Sequence, residues 1–358
     1  MKVAIVGCGK IADAHVEEIR KVPGAHVAAV CDIEPLMAEQ LAVRYGIPGQ
    51  YTDLAAMLDA EKPDVLHITA PPQTHLALTR QAVAAGCDVF LEKPVALHHA
   101  DVQAIVEAVR AAGKKLAVNY WPEFEVQALE LRRLLADGVL GTPVHVESFY
   151  GYNLADGYGL AIKQDPNHWV RRMPGQLFQN ILDHMLNKIA PFIEDDEPSI
   201  SACAYINAAR AVESGANDLL DELRVTIRGS RTSAYVTFSA NARPVGHTLK
   251  VYGTANTAYV DYNARTLVLE RGQSFPSALG RLFPPFLVSR DYRRQAMRNL
   301  GRFYRARFHY FDGMRNLLTE FYRSIETDSP SPISSREILF VSSTMEKIFQ
   351  QVYPGPQA

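Results

Sequence analysis

Short apolar runs alternate with amphipathic stretches of helical length throughout residues 1–120, and this alternation limits the fold more than any other feature of the chain. Val3–Val6, His26–Cys31, Asp64–Thr69, Asp88–Leu91 and Lys115–Asn119 have the length and apolar content of buried strands. Between them, a segment with Ile11, Val16 and Ile19 on one side reads as helix, as do Pro35–Tyr45, Asp53–Ala60, Thr74–Ala85 and Ala100–Ala112. Parallel strands need crossovers of this length, and the helices then cover both faces of the sheet. Right-handed crossovers leave a doubly wound arrangement. The expectation for 1–120 is an α/β Rossmann domain.

The pattern changes after Tyr120. Val126–Asp137 is one more helix, stopped at Asp137-Gly138. From Pro143 come period-two runs: VHVESFY, ISACAYINAA, LRVTIRGS, SAYVTFSA, HTLKVYGT, AYVDYN and RTLVLE. Their spacing predicts a large, mainly antiparallel sheet in an α+β domain spanning 121–358, with a helix near 337–350. A length of 358 residues exceeds what one core usually supports, which agrees with two domains. The four cysteines are widely spaced and form no CxxC, so neither a disulfide framework nor a metal site is expected. No apolar span reaches membrane length, and the first apolar run is too short for a signal peptide. A cytoplasmic protein is the expectation.

Gly7-Cys8-Gly9-Lys10-Ile11-Ala12 lies between the first strand and the first helix and fits G-x-G-x-x-G/A, with Ala12 in the third position. Gly7 makes the tight turn, Gly9 admits a pyrophosphate to the backbone, and Ala12 lets helix and sheet pack closely. The phosphates would rest on the amides that open the helix, at Lys10 and Ile11. Asp32 ends the second strand, where a carboxylate accepts from ribose hydroxyls and repels a 2′-phosphate, so NAD is expected rather than NADP. A structural role for Asp32, capping the following helix, competes with this one. Cys8 is expected near the phosphates without reacting. The loop Ala70-Pro71-Pro72-Gln73-Thr74-His75 ends another strand on the same edge, which makes Ala70, Pro71 and His75 candidate cofactor neighbours. His75 also reads as an ordinary residue of the helix start.

Val89–Leu97 (VFLEKPVAL) ends a buried strand with Glu92, Lys93 and Pro94. A solvated lysine is one reading. The other is an ammonium aimed by a rigid turn, able to hydrogen-bond a substrate hydroxyl and to favour oxyanion character where hydride leaves or arrives. With VGCGKIA, CDIE, PPQTH, LEKPVAL, VNYWPEF and LRRLLADGVLGTPVHVE in this order, the chain resembles the Gfo/Idh/MocA family of glucose–fructose oxidoreductase, inositol dehydrogenase and rhizopine-catabolism proteins. The resemblance implies that Lys93 lies near nicotinamide and substrate, with Glu92 and Asn119 beside the cofactor. The best match to the family's second active element, GGGxxxDxxxH, is Pro174 to His184 (PGQLFQNILDH), with Asn180 where the family has aspartate. Asn180 and His184 are four apart and share a helix face, whereas Asp183 is rotated by about 100°. His184 is the expected proton acceptor in oxidation. Asn180 cannot act as a base but can orient a hydroxyl. Further candidate substrate contacts are Tyr120, Trp121, Tyr150, His168, Trp169 and Arg171, and Tyr152 ends the same strand as Tyr150 in a loop, GYNLADGYG.

These residues describe an NAD-dependent oxidoreductase for a sugar, inositol or sugar derivative, as a homodimer or homotetramer. Two rival readings are a non-redox sugar elimination or glycoside cleavage through transiently reduced NAD, and a catalytically silent NAD-binding scaffold. One segment belongs to none of these patterns. An insertion over 276–308 holds eight arginines and one aspartate between Arg281 and Phe308, net +7 in a chain of net −2. Tyr292, Ala296, Leu300, Phe303 and Tyr304 share one face of a helix there, and Arg293, Arg294, Arg298 and Arg305 occupy much of the other. Subunit packing, contact with an anionic membrane at its inner face, and a lid over a phosphorylated or nucleotide-linked substrate all fit; nucleic acid is not expected.

Overall fold

The computed structural model describes residues 1–155, 157–207, 219–272, 276–305 and 308–353. The chain divides into two compact units, 1–124 with 310–342, and 125–309 with 343–358.

The first unit is built from β1 (Lys2–Val6), α1 (Lys10–Ile19), β2 (His26–Cys31), α2 (Pro35–Tyr45), β3 (Gly49–Tyr51), α3 (Leu54–Glu61), β4 (Val65–Ile68), α4 (His75–Ala84), β5 (Asp88–Leu91), α5 (His99–Ala111) and β6 (Leu116–Val118). All strands pair in parallel, in the order β3-β2-β1-β4-β5-β6. The order reverses between β1 and β4, and ligands of doubly wound sheets bind at the carboxyl ends of strands at such a point. Strands β1, β4 and β5 are almost wholly buried, which is why they read as continuous apolar runs rather than alternating ones. The expected doubly wound sheet is present; the short edge strand β3 had no apolar run to announce it.

A second helix set belongs to this unit although it lies far along the chain. The expected boundary near residue 120 marks only the first crossing, because Tyr310–Ser342 returns to the Rossmann unit. In this return the helix Asp312–Glu326 (α12) buries Met314, Leu317, Leu318, Phe321 and Tyr322. Their three- and four-residue spacing is one apolar face, and Phe321 packs 5.9 Å from Phe90 of β5.

The second unit carries α6 (Val126–Ala136), β7 (Pro143–Gly151), α7 (Gly157–Gln164), α8 (Gln176–Ile181), α9 (Asp183–Ile189), β8 (Ser199–Tyr205), β9 (Glu222–Arg228), β10 (Ser233–Ser239), β11 (His247–Gly253), β12 (Asn256–Asp261), β13 (Thr266–Arg271), α10 (Ser277–Leu282) and α11 (Pro284–Tyr304). The last helix, α13 (Ser335–Val352), contributes its part from Ser343 onward. Each of the seven period-two runs is a strand. The sheet order is β13-β12-β11-β7-β10-β9-β8, antiparallel except at β7–β10, where the pair is parallel. One face is apolar and buried, with Val146, Ala234, Val236, Leu249, Val251 and Val260 upon it, and the opposite face leaves Tyr205 and Tyr235 exposed. The segment expected as a loop around GYNLADGYG becomes α7 from Gly157 onward. Arg171 holds its end, donating from one guanidinium nitrogen to the carbonyls of Ile162 and Lys163.

Candidate nucleotide and active site

Gly7 turns the chain out of β1 at φ +94°. A Cβ there would stand 2.5 Å from the Ala70 amide nitrogen, so the loops after β1 and β4 meet only because this position has no side chain. The Gly7 N–H donates to the Cys31 carbonyl, 2.8 Å away, and Gly9 then opens α1 with no side-chain cap. A Cβ on Gly9 would meet nothing within 4 Å. Uncapped helix amides with free space before them suit a pyrophosphate. Lys10 is exposed, Ile11 partly so, and Ala12 is buried against the sheet.

Asp32 does not cap α2 as the competing sequence reading has it. Its Oδ2 accepts the Cys8 N–H at 2.7 Å and its Oδ1 the Glu34 N–H at 2.9 Å, so it ties the glycine loop to the turn before α2. The helix cap itself is Glu34. Each carboxylate oxygen keeps a lone pair for a further donor. Burial, helped by Asp32 and Cys31, pushes the Cys8 thiol up to about 12, and its Sγ lies 3.6 Å from the Cys31 carbonyl. Such a thiol stays protonated and unreactive. Ala70 and Pro71 lie at the rim of the same loop, whereas His75 is buried. Its ring nitrogens reach the carbonyls of Ala70 (2.8 Å) and Val95 (2.9 Å), which fixes the β4–α4 loop against the turn that follows β5.

That turn, with a cis Lys93–Pro94 peptide, rests on a buried chain of polar side chains. Glu92 Oε1 is 2.7 Å from His15 Nε2 and 2.5 Å from Asn119 Nδ2, and its Oε2 accepts the Lys93 N–H at 3.1 Å. His15 Nδ1 lies 2.8 Å from His67 Nδ1, and His67 Nε2 lies 2.8 Å from the Tyr322 hydroxyl. Burial pushes the Glu92 carboxyl up, but the bonds from His15 and Asn119 and the charge of Lys93 outweigh it and hold the group below the usual carboxylate range. Burial, with His15 beside it, keeps His67 well below the ordinary imidazole range. A neutral His67 has one donor and one acceptor nitrogen, so Tyr322, His67 and His15 make a directional chain ending on the Glu92 carboxylate. Asn119 Oδ1 is buried without a hydrogen-bond partner. It is an acceptor that a carboxamide N–H would satisfy. Sequence reasoning passed over His15, His67 and Tyr322; the visible signal was a histidine inside the otherwise apolar strand VLHI.

The sign of the pH effect follows from His67 and Glu92. Both have depressed values in the fold, so each contributes stability that is complete above its unfolded value and is lost as pH falls towards the folded one. The His67 window opens first, below about pH 6.5. Urea denaturation between about pH 5 and pH 8 should show stability falling on the acid side, and His67→Gln should flatten that slope between about pH 6.5 and 5. An unchanged slope in the variant would remove His67 from this role.

In the second unit, Gln176 opens α8 with φ 45°, in the left-handed region, at the position where GGGxxxDxxxH places its third glycine. A Cβ on Gly175 would stand 2.1 Å from the Phe349 ring, so that glycine is set by packing. From Leu177 to Ala190 every residue is buried except Asn180 and His184. Leu182 divides α8 from α9 yet keeps helical angles (φ −61°, ψ −30°), so the two residues stay one turn apart on the same side. Asp183 is buried. The Tyr150 ring stacks on His184 at 5.9 Å and 9° and meets His247 edge-on at 4.6 Å. Lys188, fully buried one turn beyond His184, bonds His247 Nε2 and lies 4.4 Å from the centre of the Tyr262 ring. Lys188 and His247 escaped sequence reasoning, although a lysine on the apolar side of a helix was a visible clue.

The remaining candidates are dispersed. Trp169 is half exposed and stacks with His168, whose Nδ1 accepts the Val170 N–H at 3.3 Å. Tyr120 is buried, and Trp121 joins Tyr310 (5.1 Å) and Phe311 (6.0 Å) in an aromatic cluster of the first unit. Among the described residues no group of His, Cys, Asp and Glu has the geometry to hold a metal ion.

The first unit thus joins a parallel Rossmann sheet to a glycine turn, an acid at the end of β2 and an EKP turn after β5. Residues 1–120 match the model of the oxidoreductase family with an NAD-binding Rossmann fold, GFO_IDH_MocA. Over this unit the chain is similar to the Gfo/Idh/MocA family. It is 35% identical over 142 residues to D-glucoside 3-dehydrogenase of Escherichia coli (strain K12), covering 39% of this chain and 40% of that one. To inositol 2-dehydrogenase of Burkholderia vietnamiensis (strain G4 / LMG 22486) it is 33% identical over 147 residues, 40% and 44% of the two chains. The similarity thus spans less than half the length of these relatives. In fold the likeness extends further. An NAD-binding oxidoreductase from Klebsiella pneumoniae superposes with a TM-score of 0.78 at 20% identity, over 98% of this chain and 96% of that one.

Proposed function

We propose that the protein is an NAD-dependent dehydrogenase that transfers hydride between nicotinamide and a hydroxyl-bearing carbon of a sugar, inositol or sugar derivative. The single observation that carries this reading is that Asn180 and His184 alone are only half-buried within the otherwise buried stretch Leu177–Ala190. Core packing gives no reason to leave an amide and an imidazole, one turn apart, as the polar openings in that segment.

Gly7, Gly9 and the amides of Lys10 and Ile11 receive the pyrophosphate, with Ala12 allowing the close helix approach. Asp32 accepts from the ribose and selects NAD over NADP, since a 2′-phosphate would face its charge. Ala70 and Pro71 border the cofactor, and His75 acts through the loop it anchors. Asn119 and Glu92 complete the nicotinamide end. When bound, NAD supplies the hydride acceptor. Lys93 hydrogen-bonds the reacting oxygen and stabilises its developing charge, Asn180 orients the hydroxyl, and His184 takes its proton, with Tyr150 stacked behind the imidazole. Tyr120, Trp121, His168, Trp169 and Arg171 are the outer candidates for substrate contact. Both curated relatives are named for oxidation of polyhydroxylated rings, which supports this substrate class. The exposed sheet face bearing Tyr205 and Tyr235 favours a homodimer or homotetramer.

Incubation with NAD or NADP and a panel of hexoses, glycosides and inositols, followed by absorbance of reduced nicotinamide, tests the reading. Reduction of NAD ahead of NADP by at least one ring polyol is expected; NAD binding with no reduction by any panel member would count against it.

A further inference from the structure

The helix α11 is amphipathic in the opposite sense from a packed surface helix. The side turned to its own chain is polar: Asp291 pairs with Arg271 (2.9 Å), Arg298 bonds Glu130 and Gln295, and Asn299 Nδ2 donates to the carbonyls of Ala264 (3.0 Å) and Arg265 (3.1 Å). Gln295 is the most buried residue of the helix. The opposite side carries Phe286, Arg290, Arg293, Met297, Leu300 and Tyr304 at alternating four- and three-residue steps, all exposed. Phe286 (64%), Met297 (62%) and Tyr304 (78%) turn most of their surface outward, and Phe303 (66%) flanks them. Leu300 and Tyr304 of the apolar face that the sequence pattern assigns lie on this uncovered side, but so does Arg293, which the pattern places opposite them.

We infer that this face docks on an anionic lipid surface. Large apolar side chains interleaved with arginine are the signature of a helix lying in a membrane interface: the rings and Met297 enter the boundary layer and the guanidinium groups meet headgroup phosphates. The one acid of the helix, Asp291, is drawn inward to Arg271 at 2.9 Å and lies 3.9 Å from Arg290, which leaves the remaining positive charge of that side unbalanced. Arg293 and Arg294 have no acidic partner among the described residues. Charge also decides against a second copy. A two-fold interface sets the same patch against itself, and here that would bring two arginine clusters together. No helix among the described residues is long and apolar enough to cross a membrane, so the contact lies at the surface. This inference is independent of the reaction proposed above.

Flotation with vesicles of phosphatidylcholine alone, or with about 30% phosphatidylglycerol added, tests it. The wild-type protein should float with the anionic vesicles only and be released as salt is raised. Arg293→Glu with Arg294→Glu should lower the partition coefficient by at least about tenfold, and Phe286→Ser with Met297→Ser should weaken the binding that survives salt. Both variants change exposed side chains, and an unaltered circular dichroism spectrum and melting curve would show that they are folded. Flotation equal on neutral vesicles, or unchanged by both variants, would overturn the inference. So would a wild-type oligomer that the same substitutions dissociate, since the face would then join copies of the chain.

Discussion

Lys93→Ala and His184→Ala are each expected to lower kcat by about 10²–10⁴-fold while leaving NAD affinity within about threefold of wild type. The two should differ in pH profile. His184 is assigned the proton, so its loss removes the acid limb of kcat/KM, and small exogenous bases should restore part of the rate. Lys93 is assigned stabilisation of charge on oxygen, so its loss lowers the rate at every pH and added base does not help. Asn180→Asp is an informative companion, because it supplies the aspartate of GGGxxxDxxxH and sets a carboxylate one turn from the imidazole. Retention of normal turnover by both alanine variants would remove these residues from the reaction, whatever the second unit binds.

Gly7→Ala and Gly9→Ala should separate folding from cofactor binding. At Gly7 the added carbon meets the Ala70 backbone at 2.5 Å and the φ of +94° is unfavourable for any side chain. Strain and overpacking together make a loss of about 2–5 kcal/mol the expected result, with an early melting transition and little NAD binding. At Gly9 an added carbon meets nothing of the protein within 4 Å, so thermal stability should stay within about 0.5 kcal/mol of wild type. The same carbon would stand where the pyrophosphate approaches the backbone, and NAD affinity should fall by at least about tenfold. Equal affinity in the Gly9 variant would place the dinucleotide somewhere else. Melting curves and NAD titration of the two proteins read both effects.

The contrast between the two glycines shows which parts of this molecule a sequence can display. Gly7, Gly9 and Asp32 are local: a strand, a turn and a helix follow one another, and the residues that make the turn are adjacent. The seven strands of the second unit were legible for a similar reason, since half-buried strands alternate visibly along the chain. The return of 310–342 to the first unit was not, because the partner surface for Phe321 and Tyr322 is built more than 200 residues earlier. The same distance hid the chain from Tyr322 through His67 and His15 to Glu92, in which each histidine alone looks like an ordinary core residue. Asn180 and His184 were read correctly as sharing a face because helical geometry fixes a four-residue step. Lys188 and His247 were missed because they meet across a helix and a strand. For α11 the period marked an amphipathic helix and left subunit packing, membrane contact and a lid all open: periodicity locates an apolar face without saying what will cover it.

Deuterium transfer bears most directly on the reaction proposed here. Sugars and inositols carrying deuterium on each carbinol carbon in turn would be mixed with the enzyme and NAD, and the dinucleotide recovered for mass spectrometry. The expected result is deuterated reduced nicotinamide from one ring position of at least one compound, absent with His184→Ala although that variant still binds NAD. Bound NAD that takes up no deuterium from any labelled compound would contradict the assignment.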